Sequence, residues 1–231
     1  MKCSIIIPVF NEEKTVIQLL ERIHETKIKD LEYEIIVIND GSHDDTKLLL
    51  EKNQQLFHIL INNEKNFGKG YAINLGIKAS NSEYIIFQDA DLEYDPSDYV
   101  NLIQPLLNGK ADAVYGSRFL GSISGGQRVL YYSHRVANFL LTTLTCFLTN
   151  INFSDMETGY KAFRAEAIKN INLKEKGFGI EPEITIKLSR KKIRFFEVGI
   201  SYNGRTYNEG KKIKLSDAFI AVYCLFKYRF F

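Results

Sequence analysis

Five short apolar runs separated by helix-like stretches constrain the first 120 residues of this chain more than any other feature. "CSIIIPVF", "YEIIVIND", "FHILINN", "EYIIFQD" and "ADAVYGS" are of strand length and rich in Ile, Val, Tyr and Phe. Between the first two, Val16, Leu19, Leu20 and Ile23 recur at helical spacing. "GSHDDTKLLLEKNQQL" offers Ser42 or Asp44 as a helix cap, and "GKGYAINLGIKAS" enters a helix through glycines. "PSDYVNLIQPLL" carries Pro96 in a helical first turn. Apolar strands joined by helices build a parallel sheet covered on both faces. The expected fold class is therefore α/β, a central mostly parallel sheet flanked by helices. After Gly121 the rhythm changes. The loop "GSISGG" leads to one long helix over about Val129 to Thr149, followed by the strand-like "TGYKAFR" and then "KIRFFEVGISYNG".

A chain of 231 residues with 45% hydrophobic and 25% charged residues is globular rather than disordered. Its three cysteines, Cys3, Cys146 and Cys224, are far apart and form no CxxC, which argues against a disulfide framework or a structural zinc site. Met1 to Phe10 reads as a strand and not as a signal peptide, so the cytoplasm is the expected compartment. The net charge of +2 hides an asymmetry: residues 185–231 carry +8 and the remainder −6. Such a basic segment is either a solvated face or a partner surface for phosphates, nucleic acid or a membrane. No Lys/Arg and aromatic pattern of an RNA-binding fold is visible. No run of about 18 apolar residues suggests a spanning helix. "LSDAFIAVYCLFKYRFF" does end in Phe230 and Phe231 beside Lys227 and Arg229, the composition of a helix at a lipid headgroup surface.

In open α/β sheets the ligand sits beyond the carboxyl ends of the strands. Here those ends read "PVFNEE", "NDGS", "DADLE" and "GSRF". Asp89 and Asp91, two residues apart in an extended chain, face one way and Ala90 the other. Two such carboxylates suit Mg²⁺ or Mn²⁺, whose shell is completed by water and substrate phosphates. A lone pair of this kind is more often a solvated acidic turn. Glu93 joins the metal set if the chain stays extended past Leu92. Asp40 either accepts from a nucleobase edge or makes an Asx turn. Glu12 is either a nucleoside contact or a first-turn helix acid. Pro8 ends the first strand, and Phe10 is placed to stack on a base. Lys69 either meets a phosphate or is exposed. "NFGKGYAINLG" lacks the last glycine of GxGxxG and follows the third strand, which disfavours a dinucleotide-binding enzyme.

In order along the chain, "SIIIPVFNEE", "VINDGS", "NFGKGYAINLG", "FQDADLEYDP" and "YGSRF" resemble the motifs of the family 2 inverting glycosyltransferases of GT-A fold. The resemblance implies a nucleotide-sugar donor. Pro8, Phe10, Glu12 and Asp40 would hold its nucleoside, and Asp89, Ala90 and Asp91 its diphosphate through Mg²⁺ or Mn²⁺, with Lys69 nearby. The second half is similar to the polyprenyl-phosphate glycosyltransferases. "GSRF" with Arg118, "DMETGYKAFR" with Asp155, and "YNGRTYNEGKKIK" with Arg205 and Lys211 or Lys212 carry that similarity. By the same resemblance Arg128 and Arg135 would grip a lipid phosphate, although both also read as exposed helix charge. The expectation is a single domain: residues 1–120 bind the nucleotide-sugar, and residues 121–231 bind a polyprenyl phosphate at the inner face of a membrane. Asp91, Asp155 and Arg118 are the expected catalytic residues. If the acceptor were a sugar hydroxyl, as in a saccharide-extending transferase, Asp155 or Glu157 would serve as base.

Overall fold

The computed structural model describes residues 1–121, 131–206, 209, 210, 212 and 215–231. The first half alternates as its pattern predicts: β1 (Lys2–Val9), α1 (Val16–Glu25), β2 (Glu32–Asn39), α2 (Thr46–Lys52), β3 (Ile59–Asn62) and α3 (Lys69–Ala79). It continues with β4 (Tyr84–Phe87), α4 (Tyr99–Leu107) and β5 (Ala113–Ser117). The second half holds α5 (Tyr132–Thr149), β6 (Lys161–Arg164), α6 (Ala165–Lys169), α7 (Ile180–Ser189), β7 (Phe195–Gly199) and α8 (Leu215–Phe230). The described part of the long helix thus starts at Tyr132, and residues 122–130 lie outside the described set.

All seven strands form one sheet in the order β3-β2-β1-β4-β6-β5-β7. Ile5, Ile6, Ile7, Ile36, Val37, Ile38, Ile85 and Ile86 are fully buried, so the central strands are apolar on both faces and need helices on both. β1 pairs in parallel with β2 on one side and with β4 on the other. The strand order reverses between them, and a crevice opens beyond their carboxyl ends.

One strand breaks the parallel pattern. β6 runs antiparallel to both β4 and β5, with Ile86 opposite Ala162 and Tyr115 opposite Lys161. Its amino end therefore lies at the rim where β4 and β5 end. That delivers residues 155–160 to the crevice. β7 is parallel to β5 and sends residues 200–206 to the same rim.

The glycines opening α3 serve packing. A Cβ at Gly68 would lie 2.4 Å from the Lys176 carbonyl oxygen, and one at Gly70 2.4 Å from that of Glu175. α8 buries Ala221, Cys224, Leu225 and Tyr228 in a cluster shared with Leu141 and Leu148 of α5 and Ile186 of α7.

Candidate active site

At the end of β1 the chain turns through Asn11 (φ 50°), which holds Ser42 and His43 by its backbone N–H and side-chain oxygen. The turn sends Glu12 inward, where it is 7% exposed. Its carboxylate accepts from Thr15 Oγ1 at 2.8 Å, Lys212 Nζ at 2.7 Å and Arg205 Nη1 at 3.2 Å. Phe10 follows Pro8 and Val9, stands edge-on to His43 and lies 5.6 Å from the Lys212 ammonium.

Asp40, at the end of β2, is buried. Its two oxygens accept from Asn63 Nδ2 at 2.6 Å, the Phe67 N–H at 3.1 Å and the Gly68 N–H at 2.7 Å. In this structure it anchors the loop that leads into α3.

Beyond β4, Ala90 is 4% exposed and packs into the core, while Asp89 and Asp91 are turned to the crevice. Each meets a cation. Lys69 Nζ lies 2.7 Å from Asp89 Oδ1, and Arg205 Nη2 lies 2.8 Å from Asp91 Oδ2. Burial pushes the Asp91 carboxyl up to about 7, the charges of Glu93 and Asp89 add to this, and Arg205 opposes it. The chain does not stay extended: Leu92 is left-handed (φ 62°) and the Glu93 N–H turns back onto Asp91 Oδ1. Glu93 is carried to the 200–206 segment instead, accepting from Tyr202 Oη at 2.7 Å and the Arg205 N–H at 2.8 Å. The extended-chain condition for Glu93 as a metal ligand is therefore not met.

A second charge chain runs behind Asp89. Lys69 is 3.7 Å from Glu181 Oε1, and Glu181 Oε2 is paired with Lys161, whose ammonium also donates to the Met156 and Thr158 carbonyls. Lys161 is fully buried and lies 4.6 Å from the Tyr115 ring. The turn before β6 presses on this chain: a Cβ at Gly159 would lie 2.5 Å from Asp89 Oδ2 and 2.9 Å from Lys69 Nζ. A side chain there would push the Asp89 carboxylate and the Lys69 ammonium from these positions.

On the opposite side, Arg118 grips the fully buried Asp155 as a fork, Nε to Oδ2 and Nη2 to Oδ1, both at 2.7 Å. The Arg118 N–H adds a third bond at 3.0 Å. The guanidinium also stacks 5.2 Å from the Tyr202 ring and reaches Asn138 Oδ1 of α5. Arg135 is exposed and lies 5.9 Å from the Phe119 ring. Arg128 and Lys211 lie outside the described residues.

The fold thus brings Glu12, Lys69, Asp89, Asp91, Glu93, Arg118, Asp155, Arg205 and Lys212 around one crevice. Five buried side-chain atoms among the described residues lack a hydrogen-bond partner: Tyr33 Oη, Asn138 Nδ2, Glu157 Oε1, Glu181 Oε1 and Arg205 Nε. All but the first belong to this crevice, although Glu181 Oε1 lies 3.7 Å from Lys69 Nζ and Arg205 Nε 3.5 Å from Glu93 Oε1, so Asn138 Nδ2 and Glu157 Oε1 are the two atoms there left for a polar ligand to meet. Sequence reasoning missed Lys161, Glu181, Tyr202 and Asn138. Lys161 alone carried a signal, a lysine inside an otherwise apolar strand.

Asp89 and Asp91 fit a divalent ion. Two crowded carboxylates with one carboxyl held near neutrality are relieved by a dication. No three His, Cys, Asp or Glu side chains among the described residues are arranged to hold a metal, so such an ion would complete its shell with water and phosphate oxygens.

Comparison with known proteins agrees with this architecture. The family model for glycosyl transferase family 2 matches residues 4–171. An uncharacterized protein of Methanocaldococcus jannaschii is 31% identical over 225 residues, covering 90% of this chain and 93% of that one. The dolichol-phosphate mannosyltransferase of Pyrococcus furiosus is 31% identical over 92% of this chain, which spans 61% of that longer protein. Among solved structures, glucosyl-3-phosphoglycerate synthase from Mycobacterium tuberculosis superposes with a TM-score of 0.76 at 20% identity, covering 99% of this chain and 78% of that one. That likeness shows the GT-A fold, and the family match is specific: the chain belongs to glycosyl transferase family 2.

Proposed function

We propose that the protein transfers a hexose from a UDP- or GDP-sugar to a polyprenyl phosphate, with inversion at the anomeric carbon. The observation that carries this reading is the Arg118–Asp155 fork. Asp155, one of the two acids that could serve as base for a hydroxyl acceptor, spends both its oxygens on an arginine instead. A phosphate acceptor is already anionic and needs cations to aim it, not a base to ionise it. The Pyrococcus relative's name, a dolichol-phosphate mannosyltransferase, supports the same acceptor class.

In this reading Phe10 stacks on the base, and Asp40 shapes the nucleoside end of the crevice through the loop it anchors. Asp89 and Asp91 would hold Mg²⁺ or Mn²⁺, which supplies positive charge to the departing diphosphate. Lys69, held by Asp89 and Glu181, lies where that diphosphate would run. Arg118 and Arg205 bind the acceptor phosphate and point one oxygen at the anomeric carbon, opposite the leaving group. The new bond joins that oxygen to the anomeric carbon as the bond to the diphosphate breaks. The polyprenyl chain lies in a bilayer, and the exposed Phe219, Tyr223, Phe226 and Phe230 of α8 meet the membrane surface.

An organic-partition assay tests this. The protein, Mg²⁺ or Mn²⁺ and a polyprenyl phosphate are incubated with labelled UDP-glucose, UDP-N-acetylglucosamine or GDP-mannose in turn. Label is expected in the organic phase with one donor, and at least tenfold less with Asp91→Ala or Arg205→Ala. Nucleotide-sugar binding with no label in that phase for any donor would overturn the lipid-phosphate acceptor.

A further inference from the structure

Two anchors bound the place where the sugar must lie. On one side are Asp89 and Lys69, which the proposed function assigns to the diphosphate. On the other are Arg118 and Arg205, which it assigns to the acceptor. One turn joins these anchors. Asp155 at its start is forked by Arg118, and Gly159 near its end presses on Asp89 and Lys69. Glu157 is the middle residue of that span.

Its surroundings are unusual. Glu157 Oε1 is closed off from solvent and, among the described residues, accepts no hydrogen bond. Leaving a buried carboxylate oxygen unpartnered costs free energy. The backbone around it is held without its help: the Gly159 N–H donates to Tyr94 Oη at 3.1 Å, and the Thr158 carbonyl accepts from Lys161. Glu157 therefore has no evident part in fixing the turn. Burial raises its carboxyl to about 7, with Glu181 adding and Lys161 and Arg118 opposing, so it can both accept from and donate to a hydroxyl near neutral pH.

We propose that Glu157 is a donor-specificity residue: its carboxyl hydrogen-bonds ring hydroxyls of the transferred hexose and so helps choose which nucleotide-sugar is used. The proposal rests on the donor reading above. It explains why an unpartnered oxygen is kept here, because the sugar supplies the missing partners.

The test is calorimetric titration of the full chain, with Mg²⁺ present, against UDP, GDP, UDP-glucose, UDP-N-acetylglucosamine and GDP-mannose. Wild type is compared with Glu157→Gln and Glu157→Ala. Both variants should bind the bare nucleoside diphosphate within twofold of wild type. The preferred nucleotide-sugar should weaken at least fivefold in Glu157→Ala and less in Glu157→Gln, which keeps an acceptor oxygen. The preference among sugars should flatten in step. Thermal unfolding should be unchanged or shifted upward in Glu157→Ala, since an unpartnered acid is removed. An unchanged ratio of nucleotide-sugar to nucleotide affinity in both variants would overturn the proposal. So would an equal loss for the bare diphosphate, which would mean general damage to the site. If wild type binds none of the five, the donor reading falls and this proposal falls with it.

Discussion

Glu34 shows how a buried charge is held in this protein away from the active site. It is 5% exposed on β2 and accepts from Ser4 Oγ, from Ser82 Oγ at 3.2 Å, from the Asn81 N–H at 3.1 Å and from Lys2 Nζ at 3.0 Å. Burial alone would raise its carboxyl, but the bonds from Ser4, Lys2 and Asn81 and the charge of Lys2 outweigh it and lower the value to about 2. An unfolded glutamate titrates near about 4.3. The folded value lies below the unfolded one, so the contribution is whole above about pH 4.3 and fades as pH falls toward 2. Urea unfolding at pH 6 and at pH 3 should show wild type losing more stability than Glu34→Gln over that interval. At pH 6 the variant should be less stable by about 2 kcal/mol, since a charge-assisted network is broken. Equal pH slopes would show that Glu34 does not carry the effect. The same residue-level view limits what the sequence tells: Asp89, Asp91, Glu12 and Arg205 are legible as charged residues near strand ends. Which cation meets which acid depends on a loop that returns more than 100 residues later.

At the scale of elements, strands declare themselves by composition and helices by spacing, and these survive folding almost unchanged. Orientation does not. Nothing in "TGYKAFR" says that β6 runs against its neighbours, because that is settled by the path of the chain after α5. α7 carries no helix signal in the sequence. Its buried face includes Glu181, Glu183 and Thr185, so it lacks the apolar stripe that marks a helix. α8 was legible as an aromatic helix, and the structure divides its residues. Ala221, Cys224, Leu225 and Tyr228 face the core, while Phe219, Tyr223, Phe226 and Phe230 form an exposed stripe at helical spacing. Lys227, read as a headgroup cation, is paired with Glu175 at 2.8 Å. Phe147 and Phe139 of neighbouring α5 are also exposed, at 84% and 66%. Among the described residues no helix is long and apolar enough to cross a membrane. If the stripe lies at a bilayer surface, Phe219→Ser with Phe230→Ser should weaken binding to lipid vesicles about thirtyfold in co-sedimentation, each ring contributing on the order of 1 kcal/mol. Thermal unfolding should change little, because both rings are largely exposed and Phe230 stacks on the exposed Phe226 ring. Unaltered sedimentation would remove α8 from the membrane contact.

Across the whole molecule, charge is segregated along the chain, +8 in residues 185–231 against −6 elsewhere. Part of that positive charge is spent internally, since Arg205 and Lys212 lie on Glu12, Asp91 and Glu93. Lys187, Arg194 and Lys227 are paired as well, with Glu183, Asp112 and Glu175, so only part of the excess is left for an anionic surface. Binding to vesicles rich in anionic lipid should weaken several-fold between low and about 0.5 M salt, as screening shortens the reach of each charge. Binding to neutral vesicles should hardly change. A salt response equal on both would assign the attraction to the aromatic stripe alone.

The position of β6 has a consequence for how this molecule can be divided. A strand from the second half of the chain is hydrogen-bonded between β4 and β5, both from the first. Cutting near Gly121 would leave β4 and β5 with no shared neighbour and strip Asp89 and Lys69 of the turn that rests on them. The two halves of the chain are thus woven and not appended. Recombination that swaps acceptor preference between relatives has to exchange loops at the rim, because the chain offers no seam at which one half can be lifted from the other.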